Sequence, residues 1–297
     1  MFKKISVFLM ISFLLGVVCQ CQMCYAVDSW SKASPAGTDS PSDIDDKIQA
    51  NNNCLDRLLN RYKRGCDVVY GSSTTITVST GNITTHNAAD SDIEMREVDS
   101  AVTVTMATDI DTAPEANDTW YYVYLDGDTA ETGISSGVFS LSSSAPTGVT
   151  SYRLVGAVRN DSSGDFMKTY RNGSTVFYSD PPVATTTESE AAWTTLDLSD
   201  YVPAGVSNQV ILGIYGQSTS GSNNIYALVR PYGSSWSYTD VGLRFYDQTS
   251  DASTEECAFG NQATVYVDSS SRIEYYTYSC DSDFEIIVIG WVENLPR

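Results

Sequence analysis

Thirty-seven acidic residues and a single histidine, His86, bound the chemistry open to this 297-residue chain. A Ser-His-Asp triad or a multi-histidine metal site has only His86 to be built around. It sits in the polar stretch GNITTHNAAD, where a loop histidine satisfied by its neighbours explains it more simply. Acids are plentiful, and glycoside hydrolysis needs only two carboxylates about 5 to 9.5 Å apart. Glu94, Glu97, Asp247 and Glu285 are candidates that spacing alone does not rank. A charged strand residue ordinarily faces solvent opposite a buried face, so each also has a structural explanation. The groups Asp109-Ile110-Asp111, Asp126-Gly127-Asp128 and Asp281-Ser282-Asp283 offer hard oxygen ligands of the kind Ca²⁺ accepts. None matches an EF-hand loop, and ordinary turn chemistry accounts for all three. No GxxxxGKS or GxGxxG phosphate loop occurs. The expectation is a protein without catalytic residues and without a resident cofactor.

Aromatic residues are the stronger binding signal. Trp120, Tyr121, Tyr122 and Tyr124, and later Tyr275, Tyr276 and Tyr278, fall in runs that alternate across a strand, so each run places rings on both faces. One set builds core and the other is available for recognition, since Tyr and Trp present large rigid area with a polar tip. Trp120, Tyr122, Tyr124 and Tyr275 are the candidate ligand-facing rings, with a cell-surface glycan or another surface component as the ligand. The competing explanation is that the outward rings pack on a neighbouring domain or subunit.

Rings held this way require strands, and the sequence supplies them densely. TTITVST, AVTVTMA, WYYVYL, GVFSL, YRLVGAVR, DFMKTY and STVFY form one block from about residue 68 to 180. Asp180-Pro181-Pro182 and the Thr-rich VATTTESEA interrupt it. WTTLDL, QVILGIYG, IYALVRP, VGLRFYD, ATVYVD, IEYYTY and EIIVIGWVE form a second block. Ala145-Pro146, Asn160-Asp161 and Asn172-Gly173 read as turns between strands. The expected fold is mainly β: two antiparallel β-sandwich or jelly-roll-like domains, at 67–182 and 183–297, preceded by one α-helix.

That helix is expected over 42–66, about six turns long. Ser42 with Asp45 resembles a capping box, the acids suit its start, and Arg61, Lys63, Arg64 and Gly65 suit its end. Ile44, Ile48, Asn51, Leu55, Leu58 and Tyr62 follow the alternating four-three spacing of a heptad seam. A short coiled coil, and with it a homo-oligomer such as a trimer, follows from that spacing; packing of the stripe on the β domain is the alternative. Cys54 and Cys66 stand about 18 Å apart along a continuous helix and cannot bridge each other there. Cys257 and Cys280 flank an expected hairpin, QATVYVDSSSRIEYYTYS, nearly symmetrically and are the disulfide candidate.

The first 26 residues read as a secretory signal peptide: Lys3 and Lys4, an apolar run from Ile5 to Val18, then a small-residue cleavage site ending at Ala26. Residues 27–41 read as a linker. No other stretch approaches the length of a membrane span, and four cysteines beyond the signal suit an oxidising compartment. The expected location is extracellular or at the cell surface. The charge of −20 becomes −22 once Lys3 and Lys4 are removed (−20 − 2), which argues against nucleic acid and anionic lipid as partners.

The run from WYYVYLDGDT through SLSSSAPT, YRLVGAVRND and GDFMKTYRNG to STVFY resembles a β-rich module recurring in tail, tail-fibre and other virion-associated proteins of tailed bacteriophages and prophages. The resemblance covers roughly 68–182, and WTTLDLSDYVP and EIIVIGWVEN more loosely. It implies a structural or binding role and identifies no catalytic site. The signal segment departs from that family, because virion proteins are assembled without export. The expectation is therefore an exported surface or appendage protein, with a carbohydrate-binding protein next and a polysaccharide hydrolase third. An unused signal segment would leave a virion component.

Overall fold

The computed structural model describes residues 63–87, 93–112, 114–128, 133–186, 192–218, 225–237, 244–247, 257–278 and 284–295, all within one unit, Tyr62–Arg297. The signal segment 1–26, the linker 27–41, Cys54 and the seam residues Ile44, Ile48, Asn51, Leu55, Leu58 and Tyr62 lie outside the described residues, as does Cys280. Among the described residues there is no helix, and the expectation of a mainly β fold with antiparallel sheets holds.

The first nine strands build two sheets. They are β1 (Lys63–Gly65), β2 (Val68–Ser72), β3 (Thr75–Val78), β4 (Gly81–Asn87), β5 (Ile93–Val98), β6 (Val102–Thr105), β7 (Trp120–Asp126), β8 (Ser136–Ser140) and β9 (Ser151–Arg159). One sheet runs β1-β4-β9-β7-β8, with β5 on the other edge of β4; the other is β2-β3-β6. In β3 and β6 every second residue is β-branched and apolar, and the register sets Ile76 opposite Val104 and Val78 opposite Val102. That stripe closes on Ile83, Tyr121, Val123, Leu125, Phe139 and Val155 of the larger sheet. Each such side chain contributes roughly 1.5–3 kcal/mol on burial.

Ten further strands follow: β10 (Thr169–Asn172), β11 (Thr175–Tyr178), β12 (Val183–Thr185), β13 (Thr194–Asp197), β14 (Ser207–Ser218), β15 (Ile225–Pro231), β16 (Arg244–Asp247), β17 (Cys257–Tyr266), β18 (Arg272–Tyr278) and β19 (Glu285–Glu293). The order β10-β11-β19-β14-β17, with β12 also on β19, makes one sheet, and β13-β18-β15-β16 makes a second. Val210, Leu212, Ile214, Ile286, Val288 and Trp291 of the first meet Ala227, Val229, Ile273 and Tyr275 of the second in one core. A register shift against β14 puts an extra residue into β19 beside Gly290. A Cβ at Gly290 would lie 2.0 Å from the Val176 carbonyl oxygen, so only glycine lets β11 close on β19 there. The Asn172-Gly173 turn is a tight hairpin: Asn172 pairs with Thr175 and Gly173 takes a φ of 61°.

Several expectations are corrected. Lys63–Gly65 is a strand rather than the end of a helix: it pairs with Gly81–Ile83, and Lys63 Nζ donates to the Val155 carbonyl at 3.0 Å. Tertiary pairing overrides the local helix-ending pattern, and Gly65 and Cys66 follow in the left-handed region. His86 lies on β4, not in a loop, with its ring centroid 5.2 Å from that of Tyr152. β17 and β18 do not form a hairpin. β17 pairs with β14, and β18 with β13 and β15, so the connection between them crosses from one sheet to the other. The Asp268 carboxylate fixes this corner by accepting from the Ser270 and Arg272 backbone N–H groups and from the Arg272 guanidinium. Cys257 therefore pairs with Ser218 of β14 rather than with β18, and Cys280 is outside the described residues. Sheet membership also changes ahead of the Asp180-Pro181-Pro182 break, since β10 and β11 already belong with β14, β17 and β19.

Candidate functional site

Of the four rings expected to face a ligand, Tyr122, Tyr124 and Tyr275 are buried and Trp120 is half-buried against the core. Tyr124 is fully buried and donates to the Ser142 carbonyl at 2.9 Å; Tyr122 is buried and donates to the Ala204 carbonyl at 2.8 Å. Trp120 donates through Nε1 to the Ser199 carbonyl, and its ring meets Trp291 edge-on at 5.4 Å. Tyr275 is buried and stacked on Phe284. The physical reason is one of layers: β7 is a central strand whose second face is covered by Ala145, Val149 and Val206, and Tyr275 points into the core between the two C-terminal sheets. Burial raises the Tyr122 hydroxyl and pushes that of Tyr124 well above the ordinary tyrosine range.

The opposite face of β18 carries rings that are only partly covered. Period-two alternation puts Arg272, Glu274, Tyr276 and Tyr278 outward while Ile273, Tyr275 and Thr277 are buried. Register sets Tyr226 of β15 against Tyr278 and Arg230 against Glu274. The Tyr226 ring stacks on Tyr278 at 5.1 Å and on Tyr276 at 6.0 Å, with interplanar angles of 13° and 18°. Trp193, just before β13, continues the row at 5.9 Å from Tyr276. Leu228, an outward position by its pairing with Tyr276, is nevertheless fully buried, which gives this face an apolar floor. Cross-strand ring pairs of this kind each contribute roughly 0.5–1.5 kcal/mol beyond area burial.

Two guanidiniums extend the row. Arg230 lies 3.9 Å over the Trp193 ring centroid, donates through Nε to Glu274 at 2.7 Å, and reaches the Trp236 carbonyl through Nη1. Arg272 lies 3.9 Å over the Tyr232 ring and makes a two-pronged pair with Asp268, at 2.7 and 3.0 Å. Burial would raise the Asp268 carboxyl, but hydrogen bonds from Arg272 and Ser270 outweigh it and hold the group below the usual carboxylate range. Tyr278, Trp236 and Tyr232 are exposed at 45%, 46% and 37% of their surface. The face therefore offers ring surface, hydroxyl edges and fixed hydrogen-bonding groups on paired strands.

The acidic candidates have local roles. Asp109 accepts from Thr105 N–H and Asp111 from Thr147 N–H and Thr112 Oγ1. Asp126 accepts from Asp128 N–H and Ser136 Oγ. Burial raises the Asp128 carboxyl, but Thr150 and Ser151 outweigh it with three hydrogen bonds and hold it below its ordinary range. Asp281, Ser282 and Asp283 lie outside the described residues, and among the described residues no group of three or more His, Cys, Asp or Glu could hold a metal ion. Glu94 pairs with Arg96 on β5, which also carries Glu97, whereas Glu285 lies on β19 in another sheet.

A buried ionic cluster sits where the two halves of the described chain meet. Arg171 of β10 makes two hydrogen bonds to Glu293 of β19, at 2.6 and 2.8 Å, and donates through Nε to the Val68 carbonyl. Lys63 lies nearby with Asp67 at 3.7 Å. Burial, helped by the Arg171 charge, lowers the Lys63 ammonium to about 8, and burial pushes the free thiol of Cys66 up to about 11.

No family model and no curated protein matches the chain. Among solved structures, a Bacillus thuringiensis Cry1Da tryptic core variant aligns at 12% identity over 77% of this chain and 50% of its own length, with a TM-score of 0.16. This chain thus spans about half of that protein, and the likeness carries no argument.

Proposed function

We propose that the protein is a non-enzymatic, exported adhesive protein whose β scaffold presents a saccharide-recognition face, the outward side of the β13-β18-β15-β16 sheet. The observation that carries this reading is the row Trp193, Tyr276, Tyr226 and Tyr278, held on paired strands and flanked by Arg230 and Glu274. A pyranose ring offers an apolar C–H face to an aromatic surface, while its hydroxyls need the polar partners that tyrosine edges and a fixed Arg-Glu pair supply. Rings already stacked on each other lose little side-chain freedom on binding, so less of the contact energy is spent on ordering.

The amino-terminal sequence supports export, and the resemblance to bacteriophage tail modules supports a role in attachment. The architectural role read from the same resemblance is compatible with this face, because an adhesive needs both a scaffold and a contact surface. The mature protein on a polysaccharide array tests the reading. Binding to a saccharide, lost in Tyr226→Ala/Tyr278→Ala and kept in Tyr124→Phe, is expected; a wild-type protein that binds no saccharide refutes it.

A further inference from the structure

We propose that this face takes an extended run of an uncharged polysaccharide laid along β18, rather than a terminal sugar or an anionic chain; the proposal rests on the saccharide reading above and specifies its ligand class.

Length is the first argument. The outward groups run the whole of β18, from Tyr278 at one end to Arg272 at the other. Seven residues at about 3.3 Å each span about 20 Å. Along that line stand Tyr278 and Tyr226, then Tyr276 and Trp193, then the Arg230–Glu274 pair, and finally Arg272 over Tyr232. A site for one terminal sugar would gather its polar groups around a single ring. Here aromatic and polar groups recur along a line, which matches a repeating ligand. Both ends of the row carry exposed rings, Tyr278 and Tyr232.

Charge is the second argument. Among the described side chains of this face, both cations are already matched: Arg230 by Glu274 at 2.7 Å, and Arg272 by Asp268 at 2.7 Å. Asp197 stands opposite Arg272 in the register and adds a further acid. An anionic polymer such as a uronate or sulfated glycan would have to break one of these ion pairs to gain either guanidinium, and would approach a strongly acidic chain. An uncharged polymer keeps both pairs. It also benefits from them, because each guanidinium is fixed over a ring with its hydrogen-bonding direction set.

The test uses the mature full-length protein against uncharged polysaccharides (glucans, mannans, xylans, galactans) and anionic ones (alginate, pectate, heparin), at low and high salt. Oligosaccharides of increasing length then compete with whichever polymer binds. An uncharged polymer retained at high salt, with affinity rising at least about tenfold from the monosaccharide to the hexasaccharide and lost in Tyr278→Ala, is the expected result. Retention of an anionic polymer that vanishes at high salt would overturn the uncharged class while leaving saccharide recognition in place. A monosaccharide that competes as well as the hexasaccharide would overturn the extended mode. Absence of binding to every polymer by the wild type would overturn both the proposal and the reading beneath it. Tyr278→Phe keeps the ring and is expected to retain most of the affinity, which separates lost ring contact from a misfolded variant.

Discussion

β7 and β18 read alike as sequence, WYYVYLD against RIEYYTY, yet they use their aromatic residues in opposite ways. On β7 both faces are covered: Tyr121, Val123 and Leu125 join the core under β2-β3-β6, while Tyr122 and Tyr124 join a second cluster roofed by the 145–149 loop and Val206. On β18 only Ile273, Tyr275 and Thr277 are covered, and Tyr276 and Tyr278 stand outward among rings from neighbouring strands. Alternation tells which rings share a face. The number of layers stacked on a sheet tells whether that face meets protein or solvent.

This contrast predicts very different costs for the same deletion. Tyr124→Ala empties a fully buried site and removes the donor to the Ser142 carbonyl, so about 3–5 kcal/mol of unfolding free energy should be lost in urea titration. A loss below about 1 kcal/mol would mean that β7 is not covered on its second face. Next in size is Glu293→Gln, which leaves the Arg171 guanidinium buried without its anion and is expected to cost about 3 kcal/mol. Replacing Arg171 and Glu293 together by Met and Leu should cost much less, because no uncompensated charge remains.

The same junction predicts a pH effect. Lys63 binds its proton more weakly folded, at about 8, than at its ordinary value of 10.5, so between those values the unfolded chain holds the extra proton and stability rises with pH. Cys66, whose folded value of about 11 lies above its ordinary 9.0, works in the opposite sense from about pH 9 upward. The expected curve climbs between about pH 8 and 9 and then flattens. Lys63→Met should abolish the climb, and Cys66→Ala should extend it. A wild-type stability that falls from pH 8 to 9 would contradict this.

Smallest is the effect on stability of Tyr278→Ala, about 1 kcal/mol from one lost ring stack, since the side chain is nearly half exposed. Its expected effect on saccharide affinity is far larger. A variant that loses stability as heavily as Tyr124→Ala would move β18's outward row from recognition to core.

Most strands were legible because their apolar residues alternate or run continuously between turn residues, as in TITV, YRLVGAVR and EIIVIGWVE. β4 was not, since GNITTHN is polar by composition although Thr84 and Thr85 are completely buried. β1 was hidden by Arg and Lys at the end of a heptad pattern, where cross-strand pairing with β4 decides the conformation. The β17–β18 corner looked like a hairpin because local spacing cannot tell a return within one sheet from a crossing between two. The candidate site was half legible. Alternation separates Tyr276 and Tyr278 from Tyr275, but the row also needs Tyr226 and Arg230 of β15 and Trp193 ahead of β13, and only tertiary pairing joins them. Tyr122, Tyr124 and Tyr275 are buried although the sequence offers them as ligand-facing, because sequence carries no count of the layers above a strand.

Affinity electrophoresis in gels containing an uncharged polysaccharide that the wild type binds tests the central claim most directly, with Tyr226→Ala/Tyr278→Ala run beside Tyr122→Phe. The account predicts that the first variant migrates as if the polysaccharide were absent while the second is retarded like the wild type. Equal retardation of the wild type and the double variant would contradict it and place recognition elsewhere on the molecule.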